Sequence, residues 1–395
     1  MNQPMTHHLF PAHVSRRTFL GAASAAAASA ATARAATRPA AGLFRGAGRL
    51  RVGVIGCGGR GTGAAVQAAT AADDVVITAL GDVFADQLAE SAGLLERAVG
   101  RQFDCPAERR FSGVDAWQQV LASDIDLVIL AAPPATRPTH FAAAVRAGKH
   151  VYCEKPAAID GRGLADVLAA CAEARDRGLS IGSGLCLRHD LATRDIVSRI
   201  HDGAIGDVRH VAMHASIGLP WQRTRQPGWS HEEWRLRNWI ADPELSGSPF
   251  VEHHIHALDT ALWALGDACP VVALPCAVVE PAVGPGRSGT SVVYRFADGG
   301  TIAASLDRRP GNRSRIDEVA TGSRGTASLR APAPADGRPS PAAAAMQALV
   351  AAVIAGERLD EMAPLCRSTQ AAIMGRMAAE AGRAVGWLDV LGPLA

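Results

Sequence analysis

The chain has 395 residues, with 40 basic and 38 acidic side chains and 48% hydrophobic residues. This length and composition predict a large buried core and two domains. The formal charge of +2 forms no basic patch or charge run, which argues against nucleic acid and anionic membranes as partners. The eight cysteines lack C-x-x-C or other metal-ligand spacing, so no metal site is expected from them. A disulfide framework is not expected if the chain folds in the reducing cytoplasm before export, and a pairing of Cys269 with Cys276, which are close in sequence, stays open.

The first 35 residues have the three parts of an export signal. SRRTFL at residues 15–20 is close to the twin-arginine pattern, and the alanine-rich run at 19–31 is too short to span a bilayer. Ala33-Arg34-Ala35 fits the rule for a cleavage site. We therefore predict a twin-arginine signal peptide over 1–35 with cleavage after Ala35 and a linker over 36–48. The protein is then expected to be periplasmic or secreted, passing through the twin-arginine machinery without a membrane anchor. A disordered alanine-rich tail is the alternative.

Strand and helix patterns alternate from residue 49 to residue 186. RVGVIG, VVITALGD, DLVILAAPP, HVYCEKP and SIGSGLCL are typical of buried strands, and helical patterns such as TGAAVQAATAA separate them. Such alternation predicts an α/β domain with a doubly wound parallel sheet and helices on both faces.

Residues 187–395 have a different pattern. A helix, LATRDIVSRIHDG, precedes the predicted strands DVRHVAMHASI, VVALPCAVVE, TSVVYRFADGGTIAASLD and RIDEVATGSRGTASLR, and helices close the chain. Asp298–Gly300 is a hairpin signal between two alternating runs. The pattern predicts an α+β domain with a largely antiparallel open sheet.

A glycine-rich turn follows the first strand. Gly56, Gly58 and Gly61 form G-x-G-x-x-G between strand and helix, where glycines allow backbone N–H groups to approach a pyrophosphate. Asp82 ends the second strand, 21 residues beyond Gly61. A carboxylate there binds an adenosine ribose 2′-OH and repels a 2′-phosphate. The motif predicts NAD as the cofactor, with NADP left open.

A lysine follows a later strand. Glu154-Lys155-Pro156 lies at the carboxyl end of that strand, the edge where ligands of parallel sheets bind. Lys149 and Lys155 are the two lysines of the sequence, which suggests that arginine cannot serve at Lys155. A desolvated lysine can lose its proton near neutral pH, whereas arginine cannot. An exposed surface lysine is the alternative.

FVEHHIHALDTALWALG, at 250–266, is predicted to be a helix. Glu252, His256 and Asp259 then share one stripe, by the i, i+4, i+7 spacing. Carboxylate and imidazole on one stripe suit general acid/base catalysis, with Asp259 or Glu252 orienting His256. His254 falls at the edge of the apolar face and is interpreted as structural. A metal site from Glu252, His253 and His256 is a weaker alternative, because His253 points about a quarter-turn away.

These motifs, in this order, resemble the Gfo/Idh/MocA oxidoreductases, from about residue 50 to the C-terminus. The resemblance implies a Rossmann domain over 49–186, a C-terminal α/β domain over 187–395 whose sheet forms a homo-oligomer interface, and hydride transfer at a sugar or cyclitol carbon. It implies that Lys155 orients or deprotonates the substrate hydroxyl and that His256 is the acid/base, with Glu252 and Asp259 beside them. The cofactor contacts are expected from Gly56, Gly58, Gly59, Arg60, Gly61, Asp82, Pro133, Glu154 and Lys155.

The loop at 220–239 is expected to shape the pocket for a carbohydrate substrate. WRLRNW at 234–239 resembles a segment of glucose–fructose oxidoreductases, and Trp234, Arg235 and Arg188 are candidate substrate contacts. Because a twin-arginine system moves folded protein, NAD can be loaded before export. The cofactor must then stay bound and be returned to its starting state in each cycle. This predicts either a sugar oxidoreductase or a redox-neutral glycosidase or epimerase, such as the exported NAD-dependent α-N-acetylgalactosaminidases. A cytoplasmic dehydrogenase and a non-catalytic carbohydrate-binding protein are the alternatives.

Overall fold

The computed structural model describes residues 48–279, 288–311, 314–331 and 338–392. The predicted signal peptide, its cleavage site and the linker up to residue 47 lie outside the described residues. Within the described ranges, no helix is both long enough and apolar enough to cross a bilayer.

A six-stranded parallel sheet forms the first half of the fold. Its elements are β1 (Leu50–Ile55), α1 (Gly59–Ala69), β2 (Val75–Asp82), α2 (Ala85–Val99), β3 (Arg110–Ser112), α3 (Ala116–Ala122), β4 (Leu127–Leu130), α4 (Arg137–Arg146), β5 (His150–Cys153), α5 (Gly161–Asp176) and β6 (Ile181–Ser183). The strand order is β3-β2-β1-β4-β5-β6, and every pair is parallel. The predicted parallel sheet is confirmed. Its order reverses between β1 and β4, the point where such sheets bind ligands.

A seven-stranded sheet forms the second half. The elements that follow are α6 (Leu191–His201), β7 (Val208–Ile217), α7 (His231–Arg237), α8 (Pro243–Ser246), α9 (Pro249–Glu252), α10 (Ile255–Ala264), β8 (Val272–Val279), β9 (Ser288–Arg295), β10 (Thr301–Arg308), β11 (Arg315–Gly322), β12 (Thr326–Ser328), α11 (Pro341–Ala355), α12 (Met362–Ala381) and β13 (Val385–Gly386). The order is β12-β11-β7-β10-β9-β8-β13. The β7–β10 pair is parallel and the other pairs are antiparallel, so the largely antiparallel sheet is also confirmed.

Alternation along β10 shows how this sheet packs. Ile302, Ala304, Leu306 and Arg308 are buried on one face, whereas the residues between them are partly exposed. Because successive side chains of a strand point to opposite faces, these four share the inner face. The inner row of β10 is therefore apolar except for Arg308 at its end, and on the same face β11 carries the buried Glu318, which pairs in register with Met213.

The C-terminal helices do not all stay with the second sheet. Met346, Leu349 and Val350 of α11 belong to the same buried cluster as Leu50 and Ile77 of the parallel sheet. Although the sequence assigns all of 187–395 to the C-terminal domain, α11 thus packs on the N-terminal one. The predicted boundary misses this packing of α11 on the N-terminal domain, because the sequence of an apolar, alanine-rich helix does not show which sheet it will pack against.

The predicted helix over 250–266 is interrupted. It consists of α9, ending at Glu252, and α10, starting at Ile255, with His253 and His254 between them. At this break the main-chain carbonyl of Glu252 accepts a hydrogen bond from Lys155 Nζ at 2.5 Å. The interruption therefore coincides with the place where the lysine of the other domain reaches the helix.

Candidate functional site

The turn after β1 fits a dinucleotide pyrophosphate. A Cβ on Gly61 would lie 1.8 Å from the Gly56 carbonyl oxygen, and one on Gly56 would lie 2.4 Å from the Ala132 nitrogen. Only glycine permits this close packing of turn, helix and neighbouring strand. A Cβ on Gly58 or Gly59 would instead meet no atom within 4 Å. No side chain caps the N-terminus of α1, so its first N–H groups are available to an anion.

Asp82 lies beside this turn at the end of β2, as predicted. Its Oδ2 accepts the Cys57 N–H at 2.7 Å and its Oδ1 accepts the Phe84 N–H at 2.9 Å. Burial raises the pKa of Asp82 despite these bonds. Each carboxylate oxygen retains a further lone pair, so the anchored Asp82 can still accept a ribose hydroxyl.

Arg60 and Glu154 form an ion pair between an exposed guanidinium and a buried carboxylate, which the sequence motifs do not reveal. Arg60 Nε lies 2.5 Å from Glu154 Oε1, and Arg60 Nη2 donates to the Tyr152 hydroxyl at 3.2 Å. Burial would raise the pKa of Glu154, but Arg60 outweighs it and holds that pKa below its usual value. Both residues were expected among the cofactor contacts, and here each side chain holds the other. Pro133 begins the turn that precedes α4, where the Thr136 hydroxyl donates to its carbonyl at 2.9 Å.

Lys155 joins the two halves of the molecule. Its Nζ donates to the Glu252 carbonyl and to Glu252 Oε1, both at 2.5 Å, and the Lys155–Pro156 peptide is cis. The two side chains are 14% and 11% exposed. Burial would raise the pKa of Glu252, but the charge of Lys155 outweighs it and holds that pKa far below its usual value. The site thus contains an ammonium and a carboxylate in contact, nearly out of solvent.

His256 lies next to this pair. Burial, and then the positive charge of Lys155, lower the pKa of His256 to about 3, and the charges of Glu154 and Glu252 also act on it. The imidazole is therefore neutral near pH 7 and able to accept a proton. Neither Glu252 nor Asp259 is hydrogen-bonded to its ring, so the expectation that one of them orients His256 is wrong. Glu252 binds Lys155, and its Oε2 lies 2.9 Å from His253 Nδ1.

Asp259 has a different partner. Arg188 donates to it from Nε and Nη2 at 2.9 Å each, and the Ser368 hydroxyl donates at 2.7 Å. Arg188 also binds Asp267 and stacks on Trp263, 5.1 Å from the ring centroid. The structure gives each of these residues a protein partner, and a catalytic Asp259 and a substrate-binding Arg188 stay predictions. The two residues form a buried ion pair that joins α10, α12 and the turn before α6.

The loop over residues 220–239, here called the strap, crosses to the nucleotide-binding half. Trp234 Nε1 donates to the Arg223 carbonyl at 2.9 Å, and Arg235 forms ion pairs with Asp242 and Glu244. Trp234 and Arg235, predicted to contact substrate, thus contact the strap itself and the segment that follows it. No contact joins either residue to Lys155 or His256 within the part of the chain that the structure describes.

Arg237 of the strap makes contacts that the sequence motifs do not predict. Its Nη1 and Nη2 donate to the two carboxylate oxygens of Asp86 at 2.9 and 3.0 Å. Its guanidinium lies 3.9 Å from the ring centroid of Phe84 and 4.4 Å from that of Trp229. Phe84 and Asp86 lie two and four residues after Asp82 in sequence, so the strap is fastened just beyond the predicted ribose ligand.

Comparison with known proteins agrees with this architecture. Residues 50–183 match a model described as an oxidoreductase family with an NAD-binding Rossmann fold, and residues 193–328 match the C-terminal domain model of the same family. The chain belongs to the GFO/IDH/MocA oxidoreductase family. Several of its relatives are named dehydrogenases or reductases, and the prediction of NAD as cofactor is confirmed.

Single proteins match the chain at low sequence identity or over only part of its length. Inositol 2-dehydrogenase 4 of Saccharopolyspora erythraea is 26% identical over 57% of this chain and 56% of its own length. A glycosyl hydrolase family 109 protein of Solibacter usitatus is 35% identical over 29% of this chain and 26% of its own. The chain thus matches about half or less of the length of these relatives. GenD2 from gentamicin A biosynthesis, solved in complex with NAD, has a TM-score of 0.66 at 20% identity over 87% of this chain and 97% of its own.

Proposed function

We propose that the chain is an exported enzyme that oxidises or reduces a carbon of a carbohydrate, using an NAD that does not leave between turnovers. The observation that carries this proposal is the contact of Lys155 with Glu252 beside the neutral His256. The contact lies at the carboxyl edge of the parallel sheet that carries the G-x-G-x-x-G turn. When bound, NAD accepts or returns the hydride.

Each side chain then has a separate task. Glu252 fixes the Lys155 ammonium through two oxygens, so this charge can hold a substrate hydroxyl and stabilise the negative charge that develops on its oxygen. His256 is neutral and takes the proton of that hydroxyl. In the reverse direction the same imidazole returns the proton to the alcohol oxygen. The low pKa that burial and the charge of Lys155 give His256 makes the imidazolium a strong acid, which favours this return of the proton and opposes the forward transfer.

Retention of the cofactor has its own structural support. Arg237 of the strap is fixed by Asp86 and by two aromatic rings, next to the turn after β2. A segment of the substrate-binding half therefore fastens over the nucleotide-binding half beside Asp82. A strap fastened in this way slows the dissociation of a ligand that is bound beneath it. It suits an enzyme that works outside the cell, where free NAD cannot replace a lost cofactor.

The route out of the cytoplasm is proposed from the twin-arginine pattern alone. A tagged full-length chain should appear in the periplasmic fraction, and the double substitution Arg16→Lys, Arg17→Lys should hold it in the cytoplasm. If the native chain and the double variant both stay in the cytoplasm, the result would instead favour a conventional cytoplasmic dehydrogenase.

One relative favours a second outcome of the same chemistry. The match to a glycosyl hydrolase family 109 protein supports a redox-neutral reaction, in which a sugar carbon is oxidised, a bond is cleaved or a centre inverted, and the carbon is reduced again. The two outcomes share Lys155, Glu252 and His256. They differ in whether the reduced cofactor accumulates when one sugar alone is supplied.

Spectroscopy of the protein purified without added cofactor tests the function. Sugars are added singly while the near-ultraviolet absorption of the reduced nicotinamide is recorded, and products are identified by mass spectrometry. Reduction by one sugar and reoxidation by a second, without free NAD, is the expected result. Product formation from a single sugar without net reduction would select the redox-neutral reaction. Carbohydrate binding without any spectral change or product would contradict both and favour a non-catalytic binding protein.

A further inference from the structure

Arg308 is a buried cation that the chemistry above does not use. It is the last residue of β10 and is 7% exposed. Its Nε and Nη2 are sealed from solvent and have no hydrogen-bond partner. These two nitrogens form the side-on edge of the guanidinium, whose parallel N–H bonds match the two oxygens of a carboxylate.

The position of Arg308 directs it toward the site. It stands on the inner face of the sheet, in the row of Ile302, Ala304 and Leu306, the face against which α10 packs. Glu252 is close enough for its charge to act on Arg308, although burial dominates and lowers the pKa of the arginine. Arg308 also pairs in register with Ile217, the last residue of β7, from which the chain enters the strap. It is thus placed next to the base of the strap and within range of the charge of Glu252.

Two buried arginines near Glu252, Arg137 and Arg308, have no carboxylate partner in the part of the chain that the structure describes. Arg137 donates to the carbonyls of Pro156 and Ala132, whereas Nε and Nη2 of Arg308 have no partner. Lys155 is matched by Glu252 and Arg60 by Glu154. Arg188 is matched by Asp259. Among the described residues, no carboxylate lies within ion-pair distance of Arg308. An unpaired buried charge is expensive, and a fold tolerates it mainly where a ligand completes it.

We propose that Arg308 binds a carboxylate of the substrate, so that the carbohydrate processed at this site is a sugar acid. This rests on the proposed function, because it takes the space beside Lys155 and His256 as the place where the carbohydrate binds. A carboxylate there completes the side-on edge of Arg308 while a hydroxyl of the same sugar faces Lys155. A neutral sugar leaves the guanidinium unpaired.

Matched pairs of sugars test this proposal: D-glucuronate with D-glucose, and D-galacturonate with D-galactose. Binding is measured by calorimetry on the cofactor-loaded protein, and reduction of the bound cofactor is measured separately. We expect at least one acid to bind about 10- to 100-fold more tightly than its neutral counterpart. Arg308→Met should remove this preference and leave the dissociation constant of the neutral sugar unchanged. Arg309→Met is the control, because the adjacent Arg309 is exposed and pairs with Asp307.

A stability measurement separates a ligand-binding role from a structural one. Since Arg308→Met removes an unpaired buried charge, it should raise the melting temperature of the substrate-free protein by about 2–4 °C. A loss of stability with the acid preference intact would overturn the proposal. If Arg308→Met does not fold, Arg308→Lys serves instead, because it keeps the charge but loses the two-point contact and should weaken acid binding alone.

The outcomes distinguish this proposal from the proposed function. Equal binding of acids and neutral sugars, with reduction of the cofactor by a neutral sugar, would overturn the role of Arg308 and leave the oxidoreductase intact. Acid binding that depends on Arg308, with no reduction or product from any sugar, would support Arg308 and contradict the enzyme.

Discussion

At the scale of single residues, the site is a set of buried charges whose partners decide their roles. Lys155 and Glu252 face each other across the two halves of the chain, and His256 stays neutral beside them. Asp259 lies on the next turn of the same helical segment but is neutralised by Arg188. In the proposed mechanism, the roles of Glu252 and Asp259 therefore differ because their partners differ, although both are carboxylates.

The two lysines provide a matched pair of variants. Lys155→Ala should lower the rate of hydride transfer by a factor of about 10²–10⁴, because the substrate hydroxyl loses its charged partner. The NAD content should be unchanged. Lys149→Ala is the control, since Lys149 Nζ donates to the Ile125 carbonyl, away from the site. Single-turnover reduction of the bound cofactor is the measurement, and a normal rate in Lys155→Ala would contradict the assignment.

Asp259→Asn distinguishes a structural role of Asp259 from the predicted catalytic one. The substitution weakens the buried pair with Arg188 and should lower the free energy of unfolding by about 3 kcal/mol. Activity per folded molecule should change little. Urea denaturation gives the stability, and turnover below the onset of unfolding gives the activity. If the Asp259→Asn variant keeps the stability of the native protein but loses turnover, Asp259 has a catalytic role.

The sequence could predict some of these residues and not others. Gly56, Gly61 and Asp82 follow from spacing, because a strand, a turn and a helix fix their positions locally. Arg308 could not be found this way, since its surroundings come from a strand and a helix far apart in sequence. The same holds for Arg237, whose partner Asp86 lies 151 residues earlier in the chain.

At the scale of elements, local periodicity indicated most of the strands and helices. Alternation along β10 and the turn at Asp298–Gly300 marked a hairpin that is present between β9 and β10. The break at His253–His254 was not predictable, because nothing within that segment forbids a continuous helix. The carbonyl at the break accepts Lys155 from the other half, a contact that exists only after the halves have packed.

The strap is the element expected to control cofactor release. Arg237→Gln or Asp86→Asn removes the charged pair that fastens it, and bound NAD should dissociate about tenfold faster. Arg199→Gln is the control, because it breaks an exposed pair with Asp195 on α6. Release is followed by trapping free NAD during dilution. An unchanged rate in both strap variants would show that the strap does not hold the cofactor.

At the scale of the whole molecule, buried histidines set the response to acid. Burial lowers the pKa of His140 and His150 to about 4 and that of His254 and His256 to about 3. An unfolded histidine has a pKa near 6.5. Between about pH 6.5 and pH 3 the unfolded chain therefore binds more protons, and the free energy of unfolding falls as pH falls. Burial raises the pKa of Glu318 to about 7. This shift acts in the opposite direction and offsets part of the effect that one histidine has on the free energy of unfolding.

His254→Phe checks this pH dependence. Both ring nitrogens of His254 are buried without a hydrogen-bond partner, and the ring packs 5.0 Å from Phe250. Phenylalanine removes the titration while keeping the packing. The melting temperature of the native protein should fall steeply from pH 6.5 to pH 4, and less steeply in the variant. Identical slopes in the two proteins would exclude His254 as a source of the acid sensitivity.

The central claim is that this enzyme carries its cofactor with it. The most direct test is to purify the mature protein from the periplasm without added NAD, pass it through gel filtration, denature it and quantify nicotinamide dinucleotide by mass spectrometry. The account predicts about one NAD per chain. Folded protein that contains no NAD would contradict a non-dissociating cofactor. It would also contradict the proposal that the enzyme works outside the cytoplasm.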